Sequence, residues 1–242
     1  MKTKILIAMF FCANMFINSA QSQTIQVIYE TQPKMQIQVG GGLEQSMIEQ
    51  IKKSTIVQNM LCYNNGESVY NVMKKEDENQ SGGIVIRMQT PENITYKNHN
   101  THKEISYQDF FGKGFLIETE LKADEWEITD STKNIQGYDC TKAVSKNGET
   151  TVWYCPNLPI TDGPVYTGLP GLVLEVKSDK FTTITKAISD DADCQIAAPK
   201  KGKKISKDDF DKMLEKRMKA MEQEGNKMGD DSGGGITIRI TK

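Results

Sequence analysis

The chain contains two histidines, His99 and His102, in the stretch KNHNTHKE. Their H-x-x-H spacing can offer a metal two ligands, but no nearby acid or thiol completes a site, and no metal is assigned. The segment reads as a polar, solvated turn. Any Ser-His-Asp or Cys-His arrangement needs an imidazole and would have to draw on this same loop. Glu118, Glu120, Glu125 and Glu127 can pair as acid and base, yet alternating carboxylates are also what solvent-facing strand positions carry. The acidic run SDDADC (189–194) lacks the glycine and terminal glutamate of a calcium loop. Lys200, Lys201, Lys203 and Lys204 can meet a phosphate or an acidic partner, although such runs are ordinarily solvated. No catalytic residue and no cofactor is assigned, and the chain reads as non-enzymatic.

Compartment comes from the first residues. MKTKILIAMFFCANMFINSAQSQ joins a short positive start to an apolar run and then to the small residues Ala20 and Ser22. That is the pattern of a secretory signal peptide over 1–22, leaving 23–242 as a single β-rich domain. No later stretch has the roughly 20 apolar residues of a spanning helix. The expected location is the periplasm, the wider cell envelope or the exterior. A formal charge of −2 gives no general attraction to nucleic acid. Removing Cys12 with the leader leaves Cys62, Cys140, Cys155 and Cys194. An even count in an oxidising compartment, without any C-x-x-C, points to disulfides and away from zinc.

The remaining chain is mostly short strands. TIQVIYET (24–31) alternates as a half-buried strand, and EQSMIEQIKKS (44–54) reads as a short helix. Asn65-Gly66 and Asn147-Gly148 are tight hairpin turns, because both central residues must accept positive φ. IVIRM, NITYKN, FLIETEL, DEWEIT, GLVLEV and FTTITKAI add further strands. The fold class is therefore mainly β with α: a curved antiparallel sheet or half-barrel with one or two packing helices. Residues 206–224 form the C-terminal helix, with Ser206 as N-cap and Phe210, Met213, Leu214, Met218 and Met221 on its apolar side. A last strand follows at 236–240.

Gly168-Leu169-Pro170-Gly171 precedes the strand LVLEV. Pro then Gly is type II turn chemistry. A phosphate loop needs a following helix and a Lys-Ser or Lys-Thr, and a nucleophile elbow needs a serine between the glycines. Neither is present, so the stretch is a structural turn. Together with GYDCTKA (137–143), VWYC (152–155), LPITDGPVYTGLPGLVLEV (158–176), YNNGESVY (63–70) and SYQDFFGKGFLIETEL…WEIT (106–129), it resembles the GLPGLI family of exported Gram-negative proteins. The resemblance implies an exported antiparallel β protein similar to the half-barrel of lipoprotein carriers, and it supplies no catalytic residues.

Two function classes follow. One is a carrier whose concave apolar face, closed by the Met-bearing helix, holds an apolar small molecule, lipid or peptide. The other is a structural module that meets another envelope protein through an exposed strand or the basic loop. A hydrolase stands last. Counting back from a two-residue turn at Asn147-Gly148 opposes Lys142 to Trp153 and Cys140 to Cys155. The expected bridges are therefore Cys140–Cys155 and, by elimination, Cys62–Cys194.

Overall fold

The computed structural model describes residues 24–39, 45–73, 91–190, 193–228 and 236–240. The expected signal peptide, the expected IVIRM strand and the expected glycine hinges beside IVIRM and the last strand lie outside them. The elements run β1 (Ile25–Pro33), β2 (Met35–Val39), α1 (Gln45–Ser54), β3 (Val57–Asn64), β4 (Glu67–Val72), β5 (Asn93–Asn98) and β6 (Lys103–Phe110). Then come β7 (Lys113–Glu120), β8 (Trp126–Ile135), β9 (Tyr138–Ser145), β10 (Thr151–Cys155), β11 (Leu172–Lys177) and β12 (Phe181–Ser189). The short β13 (Lys203–Lys204), α2 (Lys207–Met228) and β14 (Ile236–Ile240) complete the order.

Twelve strands form one sheet in the order β13-β7-β6-β5-β4-β3-β1-β12-β11-β10-β9-β8, and β14 pairs with β2 separately. Neighbours in the large sheet run antiparallel except β13, which lies parallel to β7. The sheet is thus two meanders, β3 to β7 and β8 to β12, with β1 as the seam between them. This is the open antiparallel sheet with two helices that the strand pattern predicts. Among the described residues no helix is long and apolar enough to cross a membrane.

The two Asn-Gly turns differ. At the β3–β4 hairpin Asn65 and Gly66 have φ of 47° and 81°, the two-residue turn whose twist matches its strands. At the β9–β10 hairpin the counted register holds, with Lys142 opposite Trp153 and Val144 opposite Thr151. The loop, however, is longer. Only Gly148 has positive φ, and its N–H donates to the Ser145 carbonyl at 2.8 Å. Asn147 Oδ1 accepts from the Ser145 hydroxyl and the Glu149 N–H, and such local side-chain bonds favour this wider turn.

That ladder ends at Tyr154–Thr141, one residue short of the cysteines. The Cys155 carbonyl accepts from Leu158 N–H and turns the chain away. The expected Cys140–Cys155 bridge is therefore corrected: both are buried free thiols. Burial, with the Cys155 thiol beside it, pushes the Cys140 thiol up to about 12. The other expected bridge is present. Cys62 and Cys194 are joined across a sequence separation of 132, their Cα atoms 6.2 Å apart.

The main core is Val27, Tyr29, Leu61, Leu172 and Leu174 beneath Ile160, which arrives on the segment between β10 and β11. Gly168-Leu169-Pro170-Gly171 ends that segment and is structural, though not as a simple type II turn. Gly168 carries the left-handed φ of 94°, and Leu172 N–H donates to Leu158 across the bend. Gly171 is required by space, because a Cβ there would stand 2.2 Å from the Cys155 carbonyl oxygen.

Ser206 caps α2, accepting from Asp209 N–H at 3.1 Å. The first turns of the helix pack on the sheet, where Phe210 and Met213 meet Phe110, Phe115 and Ile117, and further along Arg217 lies over the Phe111 ring at 4.9 Å. Leu214 is half-buried, while Met218 and Met221 are 55% and 48% exposed. The expected ligand face of Phe210, Met213, Leu214, Met218 and Met221 is thus divided. Its first two residues fill a small core, and its last two face solvent.

Candidate functional site

Strands β4 to β7 pair without a bulge, so their facing side chains can be read directly from register. One row is Ser68, Lys97, Glu104 and Thr119; the next is Tyr70, Thr95, Ser106 and Ile117; a third brings Asn93, Gln108 and Phe115 together. The same face continues onto β3 and β1 as Leu61 and Val27, which belong to the main core. Polar residues therefore occupy β5 and β6 where a sheet built only for packing would place apolar ones. This polar floor lies between the Phe110–Phe115–Phe210 cluster and the segment carrying Asp162. Asn93 Oδ1 is buried on it without a hydrogen-bond partner among the described residues. A buried acceptor left unpaired is costly unless something else supplies a donor.

Asp162 anchors the covering segment to that face. Its carboxylate is 1% exposed and accepts from Lys97 Nζ at 2.8 Å and from Gly163 N–H at 2.7 Å. The Ser68 hydroxyl also donates to it. His99 Nε2 lies 3.3 Å away in a polar contact too poorly aligned for a hydrogen bond. Burial alone would raise the carboxyl, but the Lys97 charge and these donors hold it well below the usual carboxylate range. Glu104, directly opposite Lys97 and half-buried, is moved the other way. Burial raises it, the nearby Asp162 and Asp124 add to the rise, and Lys97 and Lys207 oppose it. Two carboxyl groups flanking one lysine are thus driven apart, an arrangement that suits acid–base roles.

Several sequence expectations change on this geometry. His99 is not a solvated loop residue, because Asp162 draws it inward; His102 is exposed with φ of 52°. The four glutamates do not pair with one another. Glu118 and Glu120 lie on β7 and Glu127 on β8, at opposite ends of the sheet, while Glu118 and Glu125 bond Lys103 and Lys146. Lys203 and Lys204 of the basic run form β13, with their side chains exposed. Asp162, Lys97, Ser68 and Glu104 escaped the sequence reading. Their trace was the run of polar residues at the core-side positions of NITYKN and KEISYQDF, broken only by Phe110.

The profile of the family described as N-glycanase peptide, N-terminal domain, matches residues 70–217, more than half of the chain. The chain belongs to this family. Lys97, His99, Glu104 and Asp162 all fall inside the N-glycanase domain match. Two solved structures share the fold: PNGF-II in a C2 crystal form (TM-score 0.51) and in a P21 form (TM-score 0.52), each 16% identical. Each match covers 79% of this chain and 32% or 33% of the PNGF-II chain, so this chain spans about a third of their length. No curated protein matches it. Membership of an N-glycanase family overturns the expectation of a non-enzymatic carrier for apolar ligands, because the matching domain comes from a family of enzymes.

Proposed function

We propose that this chain is an exported, N-glycanase-related protein whose substrate is a glycoprotein, with the glycan-bearing segment received on the polar floor of β5 and β6. The observation that carries the reading is the family match over residues 70–217, which contains the whole floor. A saccharide presents hydroxyls and amides, and Asn93, Thr95, Ser106 and Gln108 offer donors and acceptors in a fixed grid. The half-buried Phe110, at the edge of the aromatic cluster beside them, gives an apolar surface for the C–H face of a sugar ring. Glu104 is the group on the floor suited to giving a proton to a leaving group, because its burial keeps the carboxyl protonated to higher pH.

The test is mass spectrometry of an N-glycosylated glycoprotein incubated with the full chain. The expected outcome is loss of glycan mass with the wild type, and at least about a hundredfold slower loss with Glu104→Gln. Absence of both release and binding would overturn the reading.

A further inference from the structure

We infer that a second, separate recess binds a neutral saccharide at the end of the sheet where the β3–β4 and β5–β6 hairpins meet. It is an open hollow of about 420 Å³, with Thr24, Asn64, Asn65, Glu67 and Asn100 as its polar lining. Cys194 and Ile196 form the remaining wall. The site takes its ligand class from the glycoprotein reading, but it shares no residue with the polar floor.

The recess is built and held. Asn100 Nδ2 donates to the Asn65 carbonyl at 2.9 Å, and His99 N–H donates to the Gly66 carbonyl at 2.8 Å, so the two hairpin tips are tied together. Only glycine serves at position 66. Its φ is 81°, and a Cβ would stand 2.6 Å from the Asn100 amide. Asn64 Nδ2 donates to Thr24 Oγ1 at 2.8 Å, which fixes the floor of the hollow. The Cys62–Cys194 bridge fastens the opposite wall to β3. Order of this kind lowers the entropic cost of holding a small polar ligand.

The chemistry of the lining selects the ligand. Asn64, Asn65 and Asn100 carry primary amides that both donate and accept, as pairs of sugar hydroxyls require. Glu67 Oε1 accepts from Asn98 Nδ2 at 2.7 Å and from the Tyr96 hydroxyl at 2.9 Å. Both donors act on Oε1, so among the described residues Oε2 is left to an incoming hydroxyl. Ile196 supplies an apolar patch for a ring face. Among the described residues the lining holds one carboxylate and no cation, so a sialylated or phosphorylated sugar meets repulsion there without compensation.

Isothermal titration of the full chain with N,N′-diacetylchitobiose and with a sialylated trisaccharide tests the site. The neutral disaccharide is expected to bind and the sialylated sugar is not. Glu67→Gln should weaken binding about tenfold, by loss of one charge-assisted hydrogen bond. Asn100→Ala, which unties the hairpins, provides a second variant should the first fail to fold. Met218→Ala, at an exposed position of α2 outside both the floor and the recess, should leave disaccharide binding unchanged. No disaccharide binding, equal binding of the sialylated sugar, or loss of binding in Glu104→Gln but not in Glu67→Gln would each overturn the recess. The last of these would leave the glycoprotein reading standing.

Discussion

At the scale of single residues, Asp162 has the largest structural consequence. It is a charged group taken entirely out of water, and it holds the segment between β10 and β11 by its bonds to Lys97, Ser68 and Gly163. Removing one partner of a buried pair leaves the other uncompensated, so Asp162→Ala should cost about 3–5 kcal/mol in chemical denaturation. The pH dependence separates the two carboxyls. Asp162 has a depressed folded-state value, so its stabilisation is complete above the ordinary 3.8 and is lost as pH falls through and below that point. Glu104 has a raised value, so its contribution is complete below the ordinary 4.5 and is lost as pH rises past it. Asp162→Asn should therefore flatten the acid limb of the stability curve. Glu104→Gln should leave that limb in place and raise stability relative to wild type at neutral pH. Matching acid limbs in wild type and Asp162→Asn would contradict the ionised role of Asp162.

At the scale of elements, α2 gives the clearest contrast. Phe210 lies within 5.7 and 6.1 Å of the Phe115 and Phe110 ring centroids, edge to face, whereas Met218 faces solvent. Thermal or urea unfolding should show Phe210→Ala costing about 3 kcal/mol and Met218→Ala less than about 0.5 kcal/mol. Comparable losses at both positions would mean that the far half of the helix is buried. The apolar periodicity of 206–224 correctly gave a helix and its cap. It did not say how much of that face a sheet would cover, because coverage depends on where β7 ends. In the same way, the Asn147-Gly148 count gave the register of β9 and β10 but not the cysteine pairing. The ladder stops at Tyr154, where the chain leaves for the covering segment. The strands and hairpins were legible because each rests on local chemistry, whereas the Cys62–Cys194 bridge was reached by elimination from a Cys140–Cys155 pair that the structure does not form. The Asp162 cluster was not legible, since its members come from β4, β5 and a segment more than sixty residues away from Lys97 in sequence.

At the scale of the whole molecule, the open sheet leaves one face to be covered in two places, by the segment bearing Asp162 and by the first turns of α2. Between these covers the core pattern gives way to the polar floor. A sheet stabilised only by burial has no use for Asn93, Ser106 and Gln108 at those positions, and the glycoprotein proposed as substrate has an equally polar surface. The claim that the floor receives a glycoprotein is tested most directly by hydrogen exchange of the full chain, with and without an N-glycosylated peptide at saturating concentration. The account predicts slowed exchange in β5 (Asn93–Asn98) and β6 (Lys103–Phe110), with exchange around the exposed Met218 and Met221 of α2 unchanged. Slowed exchange confined to α2, or no change in β5 and β6, would contradict it.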